Sequence, residues 1–136
     1  MKKPTAGSIE YAKDIVGRDP VAKLLDIRVE EVKEGFARCS LLIRPEYLNA
    51  VGRAHGTMVH AVADQAFAVA SNSLGNSGIA LNMNINYISG AAEGEQIAAE
   101  ATPINVSRKI SVWKIQVTGK NKRLIASCEG VAYHKQ

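Results

Sequence analysis

The stretch Thr57–Ser71 constrains this chain more than any other part of it. It opens directly after His55-Gly56 and reads Thr-Met-Val-His-Ala-Val-Ala-Asp-Gln-Ala-Phe-Ala-Val-Ala-Ser. Apolar residues fall on almost every side, and the run is too long for a strand, so it predicts a helix over about 57–74 with Gly75 as a left-handed cap. A helix that is apolar all round is normally buried. One acid, Asp64, stands in the middle of it. A carboxylate is rarely buried without a partner, because removing its water costs several kcal/mol. Something must therefore hold Asp64 in place, and function is the leading explanation.

The rest of the chain reads as strands. Residues 8–24 suggest one or two short helices, with Asp19-Pro20 as a start signal. Residues 25–33 and 36–44 suggest two strands joined at Lys33-Glu34-Gly35, and Pro45 ends the second because it has no ladder donor. After the helix, residues 79–88 alternate: Ile79, Leu81, Met83, Ile85 and Tyr87 on one face, Asn82, Asn84 and Asn86 on the other. Three more strands follow at about 95–106, 109–118 and 123–134, with turns at Ala92–Glu95 and Thr118–Asn121. The expected class is α+β: an antiparallel sheet of about six strands, two before the helix and a four-stranded meander after it. The sheet must curl around the helix, or a second subunit must cover the helix's far side.

At 136 residues, with 46% hydrophobic and 22% charged residues, the chain is expected to form one domain over 1–136, with a short helical segment at 1–24. Cys39 and Cys128 sit inside strand patterns and read as free thiols of a reducing cytoplasm. The N-terminus has two lysines but no apolar run behind them, so no signal peptide is expected, and no segment suits a membrane span. The net charge of +4 is uneven: residues 105–136 hold seven Lys and Arg against one acid, Glu129. That excess favours an anionic partner or marks a solvated hairpin edge.

Chemistry concentrates at the helix start. The first amides of a helix lack intrahelical partners and point off its N-terminus, where a developing oxyanion would be stabilised. Gly56 allows close approach, and Thr57 is a competent N-cap. Asp64 lies eight residues on, roughly 12 Å along the axis, too far for one small acyl carbon to touch both. If Gly56 and Asp64 serve one reaction, they come from different subunits with antiparallel helices, which predicts a two-fold dimer with two shared sites. His60, at i−4 from Asp64, is placed to hydrogen-bond with it. His55 is half a turn out of phase with Asp64 and reads as an anchor of its loop. The three histidines and two cysteines show no metal-ligand spacing, and neither a phosphate loop nor a nucleophile elbow occurs.

These residues resemble a known family. The run from Asn49 through His55-Gly56-Thr57 to Asp64 is similar to the signature of the PaaI-type (phenylacetate-degradation) thioesterases of the hot-dog superfamily: Asn six residues before His-Gly-Gly, and Asp nine after the His. The strand Leu81–Tyr87 and the turn Asn105–Lys109 resemble it too. The resemblance implies a hot-dog fold, with a curved sheet wrapped around one long helix. It also implies metal-free and cofactor-free hydrolysis of aryl- or medium-chain acyl-CoA thioesters, and a homodimer assembling into a homotetramer. By the same resemblance, Asp64 is the general base or nucleophile, the Gly56 amide polarises the carbonyl, Asn49 orients the thioester or water, and His55 joins the catalytic set. Thr57, Asn82, Arg108 and Lys109 would contact the substrate, the last two at the CoA phosphates. Two positions depart from the pattern: Thr57 replaces the second Gly, and Ala80 stands where some relatives carry a water-holding Ser or Thr.

Two other readings share the same residues. A non-catalytic acyl-CoA sensor would fit the Thr57 and Ala80 departures, and an enoyl-CoA hydratase would use a His60–Asp64 pair. An acyl pocket is expected from Phe67, Met58 and Met83. Few aromatics are present to stack bases, which argues against a nucleic-acid partner.

Overall fold

Two capping side chains set the start of the fold. In the computed structural model, which describes residues 2–135, Ser8 Oγ accepts from the Tyr11 N–H at 3.0 Å. It opens α1 (Ile9–Tyr11), which widens into a π-helical turn over Ala12–Val16. Asp19 Oδ1 accepts from the Ala22 N–H at 3.0 Å and opens α2 (Pro20–Leu25), with Pro20 in the first turn, where its missing N–H is no loss. The expected Asp19-Pro20 start is present, and the segment holds more than one short helical piece.

Six strands follow: β1 (Arg28–Lys33), β2 (Phe36–Leu42), β3 (Gly78–Tyr87), β4 (Gln96–Val106), β5 (Ile110–Thr118) and β6 (Leu124–His134), with α3 (Gly56–Ser71) between β2 and β3. They form one antiparallel sheet in the order β1-β2-β4-β5-β6-β3. Four register shifts interrupt it, at Val29/Glu31, Ala80/Asn82, Pro103/Asn105 and Val117/Thr118. Each adds local twist, and together they curl the sheet around α3. The result is the hot-dog architecture.

The expected meander is corrected in one respect. Only β4–β6 run consecutively; β3 pairs with β6 and forms the far edge. The chain leaves the sheet after β2, passes through α3 and re-enters at the opposite side. The expected alternation of β3 also changes. Met83 and Ile85 pair with buried Gly130 and Cys128, whereas Ile79 pairs with Tyr133 on the outer face and Leu81 is the unpaired residue of the bulge. One extra residue inverts the two faces.

The core lies between α3 and the sheet, and includes Phe67, Trp113, Leu41, Ile97, Ile115 and Ile125, all fully buried. Gly130 allows the close approach: a Cβ there would lie 2.9 Å from Phe67 Cε2 and Cζ, so the ring rests on bare β6 backbone. The helix ends earlier than expected. Asn72 Nδ2 donates to the Ala68 carbonyl at 2.9 Å and its Oδ1 accepts from the Gly78 N–H at 3.0 Å, which ties the last turn to β3. Gly75 adopts φ +96 in the turn beyond rather than at the cap. Among the described residues, no helix is long and apolar enough to cross a membrane.

Candidate active site

The start of α3 is built by the loop before it. Asn49 Oδ1 accepts from the Val51 and Arg53 N–H groups, both at 3.0 Å, while the Asn49 N–H donates to the Arg53 carbonyl at 2.7 Å. This closes a tight turn in which Gly52 takes φ +78. The His55 N–H donates to the Tyr47 carbonyl at 2.8 Å, and His55 Nδ1 accepts from the Thr57 N–H at 3.0 Å. His55, not Thr57, is therefore the N-cap, a correction to the expected capping role. Its imidazole supplies the acceptor that the Thr57 hydroxyl was expected to provide, and Thr57 stays exposed at the helix mouth. The reading of His55 as a loop anchor agrees with this geometry.

The cap leaves one amide over. The Met58 and Val59 N–H groups reach the His55 carbonyl and the Thr57 N–H reaches His55 Nδ1, but the Gly56 N–H has no acceptor among the described residues. Gly56 lines a cleft of about 400 Å³ together with Asn49, Arg53, Tyr87 and Gly90. An unpaired first-turn amide at the positive end of a sixteen-residue helix is a preorganised donor for a developing oxyanion. With its oxygen committed to the loop, Asn49 presents its Nδ2 as the remaining donor.

Tyr87 is a member of this site that sequence reasoning did not single out for it. Its hydroxyl donates to the Gly56 carbonyl at 3.3 Å, and its ring lies 3.3 Å from where a Cβ on residue 56 would stand. The distance along the chain hides this contact; only the return of β3 beside the helix start creates it. A side chain at 56 would therefore crowd the Tyr87 ring. The residues expected to form an acyl pocket do not line this cleft. Phe67 is in the core, and Met58 and Met83 pack partly buried against it.

Asp64 is elsewhere. It lies exposed on the stripe Thr57-His60-Ala61-Asp64-Ala68, the one face of α3 that the sheet leaves open. The expectation that Asp64 is buried is therefore corrected within the single chain: the sheet and the N-terminal helical segment, which Gln65 Nε2 reaches by donating to the Val16 carbonyl at 2.8 Å, leave this face of the rod uncovered. Neighbouring atoms nevertheless strip water from the carboxyl and hold it above the usual carboxylate range, with Asp19 adding to the effect and His60 opposing it. No hydrogen bond joins His60 to Asp64 among the described residues, so the pair on which the hydratase reading relied is not formed. Arg108 and Lys109 lie in the β4–β5 turn, beside a pocket that includes Leu74, Asn76 and His134 near the far end of α3. Asn82 is exposed on β3. One chain thus brings Asn49, His55, Gly56 and Thr57 together and leaves Asp64, Asn82, Arg108 and Lys109 apart from them.

The fold also creates a serine–histidine contact. Ser111 Oγ lies 2.6 Å from His134 Nε2 and accepts from Trp113 Nε1 at 2.7 Å. Serine and histidine are 0% and 1% exposed, so no substrate reaches them. This is a buried polar brace between β5 and β6 rather than a nucleophile.

Comparison with known proteins agrees with this architecture. Residues 51–126 match the family model of the Thioesterase superfamily. A protein of Archaeoglobus fulgidus, provisionally named an esterase, is 37% identical over 126 residues, covering 92% of this chain and 82% of its own. The PaaI protein of the Escherichia coli phenylacetic acid degradation operon superposes with a TM-score of 0.85 at 26% identity, covering 88% of this chain and 86% of its own. A variant of the phenylacetic acid degradation protein PaaI of Thermus thermophilus superposes at 0.83 with 30% identity, covering 86% and 100%. The chain belongs to the thioesterase superfamily, in its hot-dog fold, and is a thioester hydrolase. Within that superfamily it is of the PaaI type.

Proposed function

We propose that the chain hydrolyses aryl- or medium-chain acyl-CoA thioesters in a cleft completed by a second copy of itself. The observation that carries this reading is the Gly56 N–H, which has no acceptor among the described residues, lies at the positive end of α3 and belongs to a residue that lines the cleft. A thioester carbonyl docked there gains a donor that strengthens as charge develops on its oxygen. Acyl-CoA as the substrate class is supported by the E. coli relative, an acyl-coenzyme A thioesterase 27% identical over 115 residues.

The base is Asp64 of the second subunit. Eight helical residues separate it from Gly56, about 12 Å, so its own amide is out of reach. Two features of the single chain suit a two-fold partner. The outer edge of β3 is unpaired, with Ile79 and Leu81 59% and 61% exposed beside it. The open stripe of α3 lies uncovered as well. Antiparallel pairing of two copies along these features covers both, and carries each Asp64 toward the other copy's helix start. It also surrounds Asp64 with protein, which acts in the same direction as the loss of water that already raises its carboxyl. Asn49 Nδ2 then orients the thioester or the attacking water. As the resemblance implies, two such dimers form a tetramer.

The test is CoA release from benzoyl-, phenylacetyl-, hexanoyl- and palmitoyl-CoA by the parent and by Asp64→Asn. The parent is expected to prefer one of the first three, and Asp64→Asn to lower kcat by about 10²–10⁴. Turnover by Asp64→Asn equal to the parent's removes Asp64 from the mechanism, and solution scattering from single chains removes the shared site.

A further inference from the structure

We propose that Arg53 receives the phosphate end of the CoA substrate at the rim of the cleft belonging to its own chain. This rests on the acyl-CoA reading above and adds a residue that neither the helix start nor the Asp64 spacing identifies. Arg53 lines the cleft with Gly56 and Tyr87 and is exposed, whereas Gly56 is half-buried. Its guanidinium lies over Gly90, where a Cβ would stand 3.1 Å from Nε and 3.2 Å from Nη2. A side chain on residue 90 would push the guanidinium away.

Gly90 also meets a second guanidinium, that of Arg123 from the turn before β6, in a different state. Arg123 Nη2 donates to the Gly90 carbonyl at 2.8 Å and to Glu95 Oε2 at 2.9 Å, so its charge is matched. Partial burial works against ionisation of Glu95, but N–H donors from Lys120 and Ala92 and the Arg123 cation outweigh it and keep Glu95 charged. The Arg53 side chain has no carboxylate or hydrogen-bond partner among the described residues, and no acid lines the cleft. Lys120 and Lys122 stand in the adjoining turn, which Ser89 Oγ ties to the cleft loop by donating to the Leu124 carbonyl at 2.7 Å. Arg53 is therefore an unmatched cation lining the cleft beside the proposed carbonyl site.

The order of groups in the substrate selects the phosphate. With the carbonyl on the amide of half-buried Gly56, the pantetheine arm leads toward solvent and carries its diphosphate to the side of the exposed Arg53. A planar guanidinium with several donors suits phosphate oxygens. Arg108 and Lys109 of the same chain lie toward the other end of a sixteen-residue helix, about 24 Å long. They cannot serve this rim from within one chain.

The experiment compares the parent with Arg53→Gln and Arg53→Lys on hexanoyl-CoA, hexanoyl-pantetheine and adipoyl-CoA, with calorimetry of CoA alone. Arg53→Gln is expected to raise KM for hexanoyl-CoA about tenfold, equivalent to about 1.4 kcal/mol, with kcat within about twofold. KM for hexanoyl-pantetheine, which has no phosphate, stays at the parent value, and Arg53→Lys recovers part of the loss. CoA binding weakens in Arg53→Gln and recovers in the same order. An unchanged KM for hexanoyl-CoA overturns the proposal, as does an equal loss on hexanoyl-pantetheine. A loss confined to adipoyl-CoA also overturns it, because the anion is then the acyl carboxylate. If the parent cleaves no acyl-CoA, the proposed function fails, and the calorimetric comparison still decides the role of Arg53.

Discussion

Two crippled variants, mixed, should recover activity that neither has alone. Asp64→Asn removes the proposed base from an exposed position, so the fold tolerates it. Gly56→Val closes the other half of the site, because its Cβ meets the Tyr87 ring at 3.3 Å and its two methyl groups extend further into the cleft. Each variant by itself is expected to lose about 10²–10⁴ in kcat, equivalent to about 3–5 kcal/mol of transition-state stabilisation. In a shared-site dimer, a mixed pair contains one site with both lesions and one with neither. Random exchange makes half the dimers mixed, so the mixture should reach about a quarter of the parent's specific activity. The assay is thiol release from hexanoyl-CoA after subunit exchange, with exchange verified by native mass spectrometry. If mixed dimers form and activity stays at the level of the separate variants, Gly56 and Asp64 do not meet across subunits.

Four further outcomes follow from the same structure. Gly130→Ala forces a Cβ to 2.9 Å from the buried Phe67 ring and should cost about 1–3 kcal/mol, lowering Tm by roughly 3–10 °C in a melt followed by circular dichroism; an unchanged Tm contradicts the packing described. Loss of water around Asp64, with Asp19 adding and His60 opposing, raises its carboxyl, so the acid limb of kcat/KM should move to higher pH in His60→Gln and to lower pH in Asp19→Asn. Because the folded carboxyl is raised above its unfolded value, its stabilising contribution is complete in acid and lost as pH rises through the folded pKa; Asp64→Asn should therefore raise Tm at pH 7 relative to the parent and not at pH 3. Burial pushes the Cys39 thiol up to about 12 and the Cys128 thiol up to about 11, so neither should react with a thiol reagent at pH 8 until the protein is unfolded.

Much of the site's identity is local, and local features survive in the sequence. The spacing from Asn49 to His55-Gly56 and on to Asp64 encodes one loop and two turns of one helix, and a helix's rise is fixed by its own backbone. The loop-anchoring role of His55 and the separation of Gly56 from Asp64 were therefore legible. The capping atom was not, because Thr57 and His55 both offer an acceptor and only the backbone conformation at His55 (φ −63, ψ 138) chooses between them. Tyr87 and Arg53 were illegible as site residues for a different reason. Their contacts join Gly56 and Gly90 to residues far away in the chain, and pattern within a segment carries no information about such pairs.

The same division holds for the fold. Apolar periodicity and turn residues by themselves determined one long helix, its place after the second strand, and six strands of nearly the observed lengths, since each depends on neighbouring side chains meeting one common surface. Strand order was decided only in three dimensions: the choice of β6 over β4 as the partner of β3 depends on where the chain re-enters the sheet after α3. The bulge at Ala80/Asn82 likewise inverted an alternation that reads as continuous in one dimension. The exposure of Asp64 was a tertiary outcome too. A curved sheet covers only part of a rod, and the remaining face, acid included, stays open for whatever binds next.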